Sequence, residues 1–143
     1  MRSEWGLAQL KDLAEINRDN YRVGDMWDYV NYLDTGNITR GVINEIKHIN
    51  LLKDRLPSRA RRKVAPNDIV YSTVRPNQEH YGIIMDPLPN MLVSTGFVTI
   101  TVSERLNPLY LHYFLSKPRI TAYLHAIAEQ RVSTYPALNV SDL

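Results

Sequence analysis

The sequence predicts an α+β fold: one domain over residues 1–143, with a strongly twisted, barrel-like mixed β-sheet, an N-terminal helix and a C-terminal helical pair. Apolar residues recur at helical spacing near both ends of the chain. Between them, short runs rich in β-branched and aromatic residues are separated by turn residues. The order is helix, several strands, then paired helices, which points to α+β rather than alternating strand–helix units. At 143 residues the chain is long enough for one domain with an ordinary core.

Leu7, Leu10 and Ala14 open the chain with a helical period, while Lys11, Asp12 and Glu15 face outward. A polar stretch from Asn17 to Gly24 ends that helix. Tyr29 to Leu33 reads as a strand and Val42 to Ile49 as another, with Asp34-Thr35-Gly36-Asn37 as turn chemistry between them. Pro57-Ser58-Arg59-Ala60-Arg61-Arg62 suits a single helical turn. After Pro66-Asn67-Asp68 comes the clearest strand, Ile69 to Val74, then another from Tyr81 to Met85. Asp86 to Asn90 is a loop, and Phe97 to Val102 is again a strand. Asn107 caps a helix that has Pro108 at its first position, where the missing N–H costs nothing. Tyr110, Tyr113 and Phe114 are expected on its buried face. A second helix after Pro118 carries Ile120, Tyr123, Leu124, Ile127 and Ala128 at amphipathic spacing.

With 44% hydrophobic and 22% charged residues, the chain has globular composition, not that of a disordered one. No uninterrupted apolar run exceeds three residues, so no membrane-spanning helix is expected. Met1-Arg2-Ser3-Glu4 lacks the apolar stretch of a signal peptide, and there is no cysteine for disulfide, thiolate-metal or thiol-nucleophile chemistry. A soluble cytoplasmic protein is the expectation. Its net charge of +2 is unevenly placed: the eleven residues from Lys53 to Lys63 carry +5, leaving the rest of the chain at −3. Such a segment is either a solvated face or a polyanion contact.

Catalytic and cofactor motifs are not found. Gly36 and Gly41 have the separation of a phosphate-binding loop, but Val42 and Ile43 stand where Lys and Ser/Thr are required. Nucleotide and S-adenosylmethionine binding are therefore unsupported, and no cofactor is expected. His48, His80, His112 and His125 lack metal-ligand spacing, and no Gly-x-Ser-x-Gly occurs. One enzymatic alternative stands: Asp34 and Glu45 as carboxylates on a divalent metal, with Lys47 at the phosphate, in the manner of a nuclease. It needs Glu45 and Lys47 to alternate onto one strand face.

Several longer stretches resemble the target-recognition domains of type I restriction-modification specificity subunits. They are Tyr32-Leu33-Asp34-Thr35-Gly36-Asn37-Ile38-Thr39-x-Gly41, Pro57 to Arg62, and Asp68-Ile69-Val70-Tyr71-Ser72-Thr73-Val74-Arg75-Pro76-Asn77. Val93-Ser94-Thr95-Gly96-Phe97, the closing Tyr135 to Leu143, and Trp5 with Leu10 to Ile16 complete a match that keeps its order over nearly the whole chain. The resemblance implies a non-catalytic reader of one half of a split double-stranded DNA sequence. It also implies methyltransferase subunits as partners and, through them, a motor-nuclease subunit. Such domains continue into a spacer helix that this sequence does not reach. A stand-alone module that pairs with a second copy is the remaining alternative.

Within that reading, Arg75, Asn77, Gln78 and His80 follow a buried-looking strand and carry base-reading chemistry. Arginine pairs bidentately with guanine, and Asn or Gln with adenine. Alternatively, Arg75 pairs with a carboxylate and Asn77 caps a turn. Arg59, Arg61, Arg62 and Lys63 suit phosphate contacts, which position DNA without reading it. Ser94-Thr95-Gly96 reads as structural.

Overall fold

The computed structural model describes residues 14–103 and 107–122. Ten strands appear among them: β1 (Ala14–Ile16), β2 (Tyr29–Leu33), β3 (Ile38–Thr39), β4 (Val42–Ile43), β5 (Lys47–Asn50), β6 (Ala60–Lys63), β7 (Asp68–Ser72), β8 (Tyr81–Ile84), β9 (Met91–Ser94) and β10 (Phe97–Val102). One helix, α1 (Pro108–Leu115), follows, and a further helical stretch is described over 118–122. The strands form a four-stranded sheet in the order β1-β10-β7-β8, a second in the order β5-β2-β9-β6, and the small hairpin β3-β4. The first sheet is antiparallel; the second is mixed, because β2 and β9 run parallel. The expected mixed, barrel-like α+β domain is what the chain forms, with its strands divided between two sheets and the barrel left open.

Strand alternation decides the layers. On β7, Ile69 and Tyr71 point to one side, joining Val98, Ile100, Tyr81 and the helix residues Leu111 and Leu115. Val70 points to the other side, into a layer between the sheets with Phe97, Ile84, Leu33, Met91 and Val93. Leu92 leaves the far face of β9 to meet Val30, Tyr32, Ile49 and Ala60, with Tyr21 and Trp27 packed against them. Each such aliphatic or aromatic side chain contributes roughly 1.5–3 kcal/mol when fully buried. Asp68 is the charged exception at 3% exposure. Its carboxylate accepts from the Ala65 N–H at 2.8 Å and the Thr101 hydroxyl at 2.7 Å, tying the turn before β7 to β10. Burial nonetheless pushes it above the ordinary carboxylate value, outweighing those donors.

Several local expectations are corrected. Ala14 to Ile16 were assigned to the first helix but form β1, because they close the open edge of β10 through the register Ala14↔Val102 to Ile16↔Ile100. The strand expected from Val42 to Ile49 is broken in two: Val42–Ile43 turns back on β3, while Lys47–Asn50 pairs with β2. The helical turn expected at Pro57 to Arg62 gives way to strand β6, recruited by the edge of β9. Strand β9 itself, Met91–Ser94, has no counterpart in the sequence reading. In α1 the Asn107 cap is present, its side chain accepting from the Leu109 N–H at 2.8 Å. The buried face is led by Leu111 and Leu115, one turn apart, with Phe114 partly buried against the same cluster as expected, while Tyr113 is 71% exposed and Tyr110 is exposed as well. The first helix over Leu7 and Leu10, the residues Tyr123 to Ala128 and the closing Tyr135 to Leu143 lie outside the described residues.

Close approach at Gly82 seats the β3-β4 hairpin on β8. A Cβ there would stand 2.5 Å from Ile38 Cδ1 and 3.2 Å from Gly41 Cα. Ile38 is fully buried and the second neighbour is backbone, so neither yields easily. Gly82→Ala should therefore lower stability by about 1–3 kcal/mol in urea denaturation. At Gly96 the nearest atom is the Thr35 methyl, 2.8 Å from the added Cβ, on a half-buried side chain free to rotate. Gly96→Ala should cost clearly less; equal costs would show that side-chain freedom is not what separates the two.

His112 packs edge-on to Tyr81 and its Nε2 has no partner among the described residues. Burial holds the imidazole below its ordinary 6.5. The unfolded chain thus takes up a proton first as pH falls. The stability linked to neutral His112 is complete above pH 6.5 and declines as pH drops through and below that value. Denaturant melts of His112→Phe across that window should lack this slope.

Candidate nucleic-acid interface

Loops from both sheets converge at one end of the molecule, where backbone bonds join them. The Thr95 N–H donates to the Arg59 carbonyl at 2.9 Å, bringing the β9–β10 turn to the start of β6. The Thr73 N–H and hydroxyl both donate to the Gly96 carbonyl, at 2.9 and 3.1 Å, bringing the end of β7 to the same turn. Thr35, in the 3-10 turn Thr35–Asn37 after β2, packs on Gly96. Ser94 Oγ accepts from the Gly96 N–H at 3.0 Å, so this turn is held by its own hydroxyl, the structural role expected of Ser94-Thr95-Gly96.

From Thr73 the chain enters the loop with the predicted base-reading residues. Arg75 adopts a left-handed conformation (φ 45°), Pro76–Gln78 form a 3-10 turn with Pro76 buried, and Glu79 is left-handed again (φ 60°). Two left-handed residues around a proline make a tight protrusion, with Asn77 and Gln78 exposed at its crest. His80 does not share that exposure. Its Nδ1 lies 2.7 Å from the Ile38 carbonyl, which can only accept, so this nitrogen carries the proton and donates; Thr39 Oγ1 is 3.3 Å away. The ring locks the loop to the β3-β4 hairpin. The Arg40 N–H to the Glu79 carbonyl at 2.9 Å and the Gly41 N–H to the Tyr81 carbonyl at 2.8 Å complete that lock. Asn77, Gln78, Arg75 and the hairpin tip form one surface.

The basic segment is not one patch. Arg59 is exposed at the loop end. Arg61 folds its guanidinium back on its own turn, Nη1 donating to the carbonyls of Ala60 at 2.9 Å and Pro57 at 3.2 Å. Arg62 is half-buried, its Nε has no partner among the described residues, and burial lowers the guanidinium pKa. Lys63 lies toward the opposite end of β6, 3.2 Å from Asp25 Oδ2 and 5.1 Å from the centre of the Trp27 ring. The Arg22 N–H, and then Lys63, hold the Asp25 carboxyl below its ordinary value. Strand geometry thus divides among different surroundings what the sequence lists side by side.

The nuclease alternative finds no support. Asp34 Oδ1 accepts from the Thr35 N–H at 2.8 Å and the Tyr32 hydroxyl at 3.3 Å, capping its own turn. Glu45 lies in the connection between β4 and β5, so it does not share a strand face with Lys47. Among the described residues no group of three acidic, histidine or cysteine side chains is placed to hold a metal, and no helix is long and apolar enough to cross a membrane.

Sequence reasoning missed Arg40, which reaches the same surface from the hairpin tip. The signal was present in Ile38-Thr39-Arg40-Gly41-Val42-Ile43, β-branched pairs flanking a glycine-containing two-residue turn.

Over 131 residues the chain is 32% identical to the type I restriction enzyme HindI specificity subunit of Haemophilus influenzae, matching 88% of this chain and 28% of that protein. A chain from a solved type I R-M system superposes with a TM-score of 0.77 at 26% identity, covering 94% of this chain and 35% of that one. The HsdS subunit from Thermoanaerobacter tengcongensis shares the fold, with a TM-score of 0.69 at 24% identity, over 96% of this chain and 37% of that one. The chain spans about a third of the length of these relatives. No protein-family model matches the sequence.

Lys63 separates folding from binding. With its charge committed to Asp25 and Trp27, Lys63→Met should lower the thermal midpoint while leaving affinity for duplex DNA unchanged. A loss of affinity in a variant with wild-type stability would return Lys63 to the binding surface.

Proposed function

We propose that this chain, a homologue of the type I restriction-enzyme specificity subunits, reads one half of a bipartite double-stranded DNA target and performs no catalysis itself. The observation that supports this reading is the set of backbone hydrogen bonds that ties the start of β6, the β9–β10 turn and the end of β7 together, next to the loop that bears Arg75, Asn77 and Gln78. Rigid sheets with recognition on their connecting loops are a general solution for binding. The side chains are suited to it: an arginine fork for guanine, two carboxamides for adenine, and a further arginine for phosphate. In this reading, residues 1–143 act as one recognition domain in the cytoplasm. A second such domain reads the other half-site. Methyltransferase subunits, with a motor-nuclease subunit beyond them, supply the chemistry on DNA.

Phosphate and base contacts have different signatures. Arg62 is a half-buried cation with no ion pair among the described residues, and in this reading the end of its guanidinium, not its buried Nε, meets a phosphate. Neutralising Arg59 and Arg62 should weaken binding to all duplexes alike and flatten the slope of log K against log salt by about one unit or slightly less per contact. Arg75→Ala or Gln78→Ala should cost about 1–3 kcal/mol on the preferred sequence and little on random DNA. Fluorescence anisotropy titrations at low salt, with matched specific and random duplexes, make the comparison. A wild-type chain that binds every duplex equally would overturn the reading.

A further inference from the structure

The hairpin tip carries a residue in a backbone conformation that a long side chain does not favour. Arg40 and Gly41, both at positive φ (46° and 82°), are the central residues of the two-residue turn joining β3 to β4. Such turns prefer Asn-Gly, because asparagine tolerates the left-handed region better than a long side chain does. The arginine side chain is 70% exposed, and its one described partner is Glu79, at 3.8 Å from Nε to Oε2. An exposed ion pair of that length adds little stability. A left-handed backbone position occupied by a long charged side chain, where asparagine would fit better, is a recurrent mark of functional positions. The tip, moreover, is not loose. Three hydrogen bonds and the close contact at Gly82 fasten it to the loop bearing Arg75, Asn77 and Gln78.

We infer that Arg40 is a specificity-determining residue, a second arginine fork that reads a guanine in the DNA major groove beside the bases met by the Arg75–Gln78 loop. This rests on the DNA-reading function proposed above and adds a residue to it. Neither Nη group is engaged by a described residue, so both donors of a bidentate contact to guanine O6 and N7 are available. The pair with Glu79 is weak enough to be exchanged for a base, and it keeps the guanidinium near the surface until then.

The test is selection of the full 143-residue chain against a randomised duplex pool, repeated with Arg40→Asn and Arg40→Lys. Asparagine suits the turn, so Arg40→Asn should melt at or above the wild-type temperature, which removes misfolding as an explanation. It should lose preference for guanine at one position, with affinity for the wild-type site falling roughly five- to a hundredfold while affinity for random duplex changes little. Arg40→Lys keeps the charge but not the planar fork, so it should preserve the salt slope without restoring the guanine. If both variants select the wild-type sequence, Arg40 reads nothing and this inference fails alone. If affinity falls equally on all duplexes, or lysine restores the guanine, Arg40 acts as a point charge, and the inference again fails alone. If the wild-type chain enriches no sequence, the DNA-reading function fails and takes this inference with it.

Discussion

All five side chains of β7 are buried, on both faces of its pleat, and the arrangement of the domain follows from satisfying that strand. A strand with no solvent-exposed face requires a partner on each edge and a covering layer on each side. β10 and β8 supply the edges. Helix α1 covers one face with Leu111 and Leu115, and the second sheet covers the other with Leu33, Met91 and Val93. β9 repeats the demand one layer further out, sending Met91 and Val93 inward and Leu92 to a third cluster. Three apolar layers in a small domain leave little room for polar side chains among the strands, so functional chemistry is pushed to the ends.

At the end where the loop after β7 lies, the loops are joined by backbone hydrogen bonds. Carbonyls and amides of Arg59, Thr73, Thr95 and Gly96 pair across loops that are far apart in sequence, and the hairpin is bolted to its neighbour in the same way. The exposed Asn77 and Gln78 side chains there carry no described structural bond. Asn77 and Gln78 can differ without disturbing the frame beneath them, which is what a surface that discriminates among ligands requires. His80 is the contrast. Its ring is spent on the Ile38 carbonyl, so it belongs to the frame although it closes the same loop.

The basic segment illustrates how a strand redistributes charge. Successive side chains leave opposite faces, and the irregularity between Ala60 and Arg62 shifts the alternation further. Arg61 therefore secures its own turn, Lys63 is held between a carboxylate and an indole, and Arg62 is half-buried with no counter-charge among the described residues. The local +5 charge is real, yet only part of it faces outward where a polyanion would lie.

Period and composition in the sequence determined the α+β class, strands β2, β8 and β10, most of β7, the Asn107-Pro108 start of α1 and the loop after β7. Each depends on local signals: an unbroken β-rich run, a cap followed by proline, a cluster of turn residues. What depended on partners was decided by tertiary structure. Ala14–Ile16 became a strand because β10 had an open edge, and Ala60–Lys63 did because β9 had one; hydrogen bonding to a distant neighbour outweighed local preference. The buried face of α1 went to Leu111 and Leu115 because the sheet beneath fixed which side of the helix met the core. The same holds for the candidate site. Its residue types in the loop after β7 were legible, but the placement of Arg40 beside Glu79, of His80 on the Ile38 carbonyl and of Lys63 against Asp25 and Trp27 came only from contacts between segments remote in sequence. No local pattern encodes those contacts.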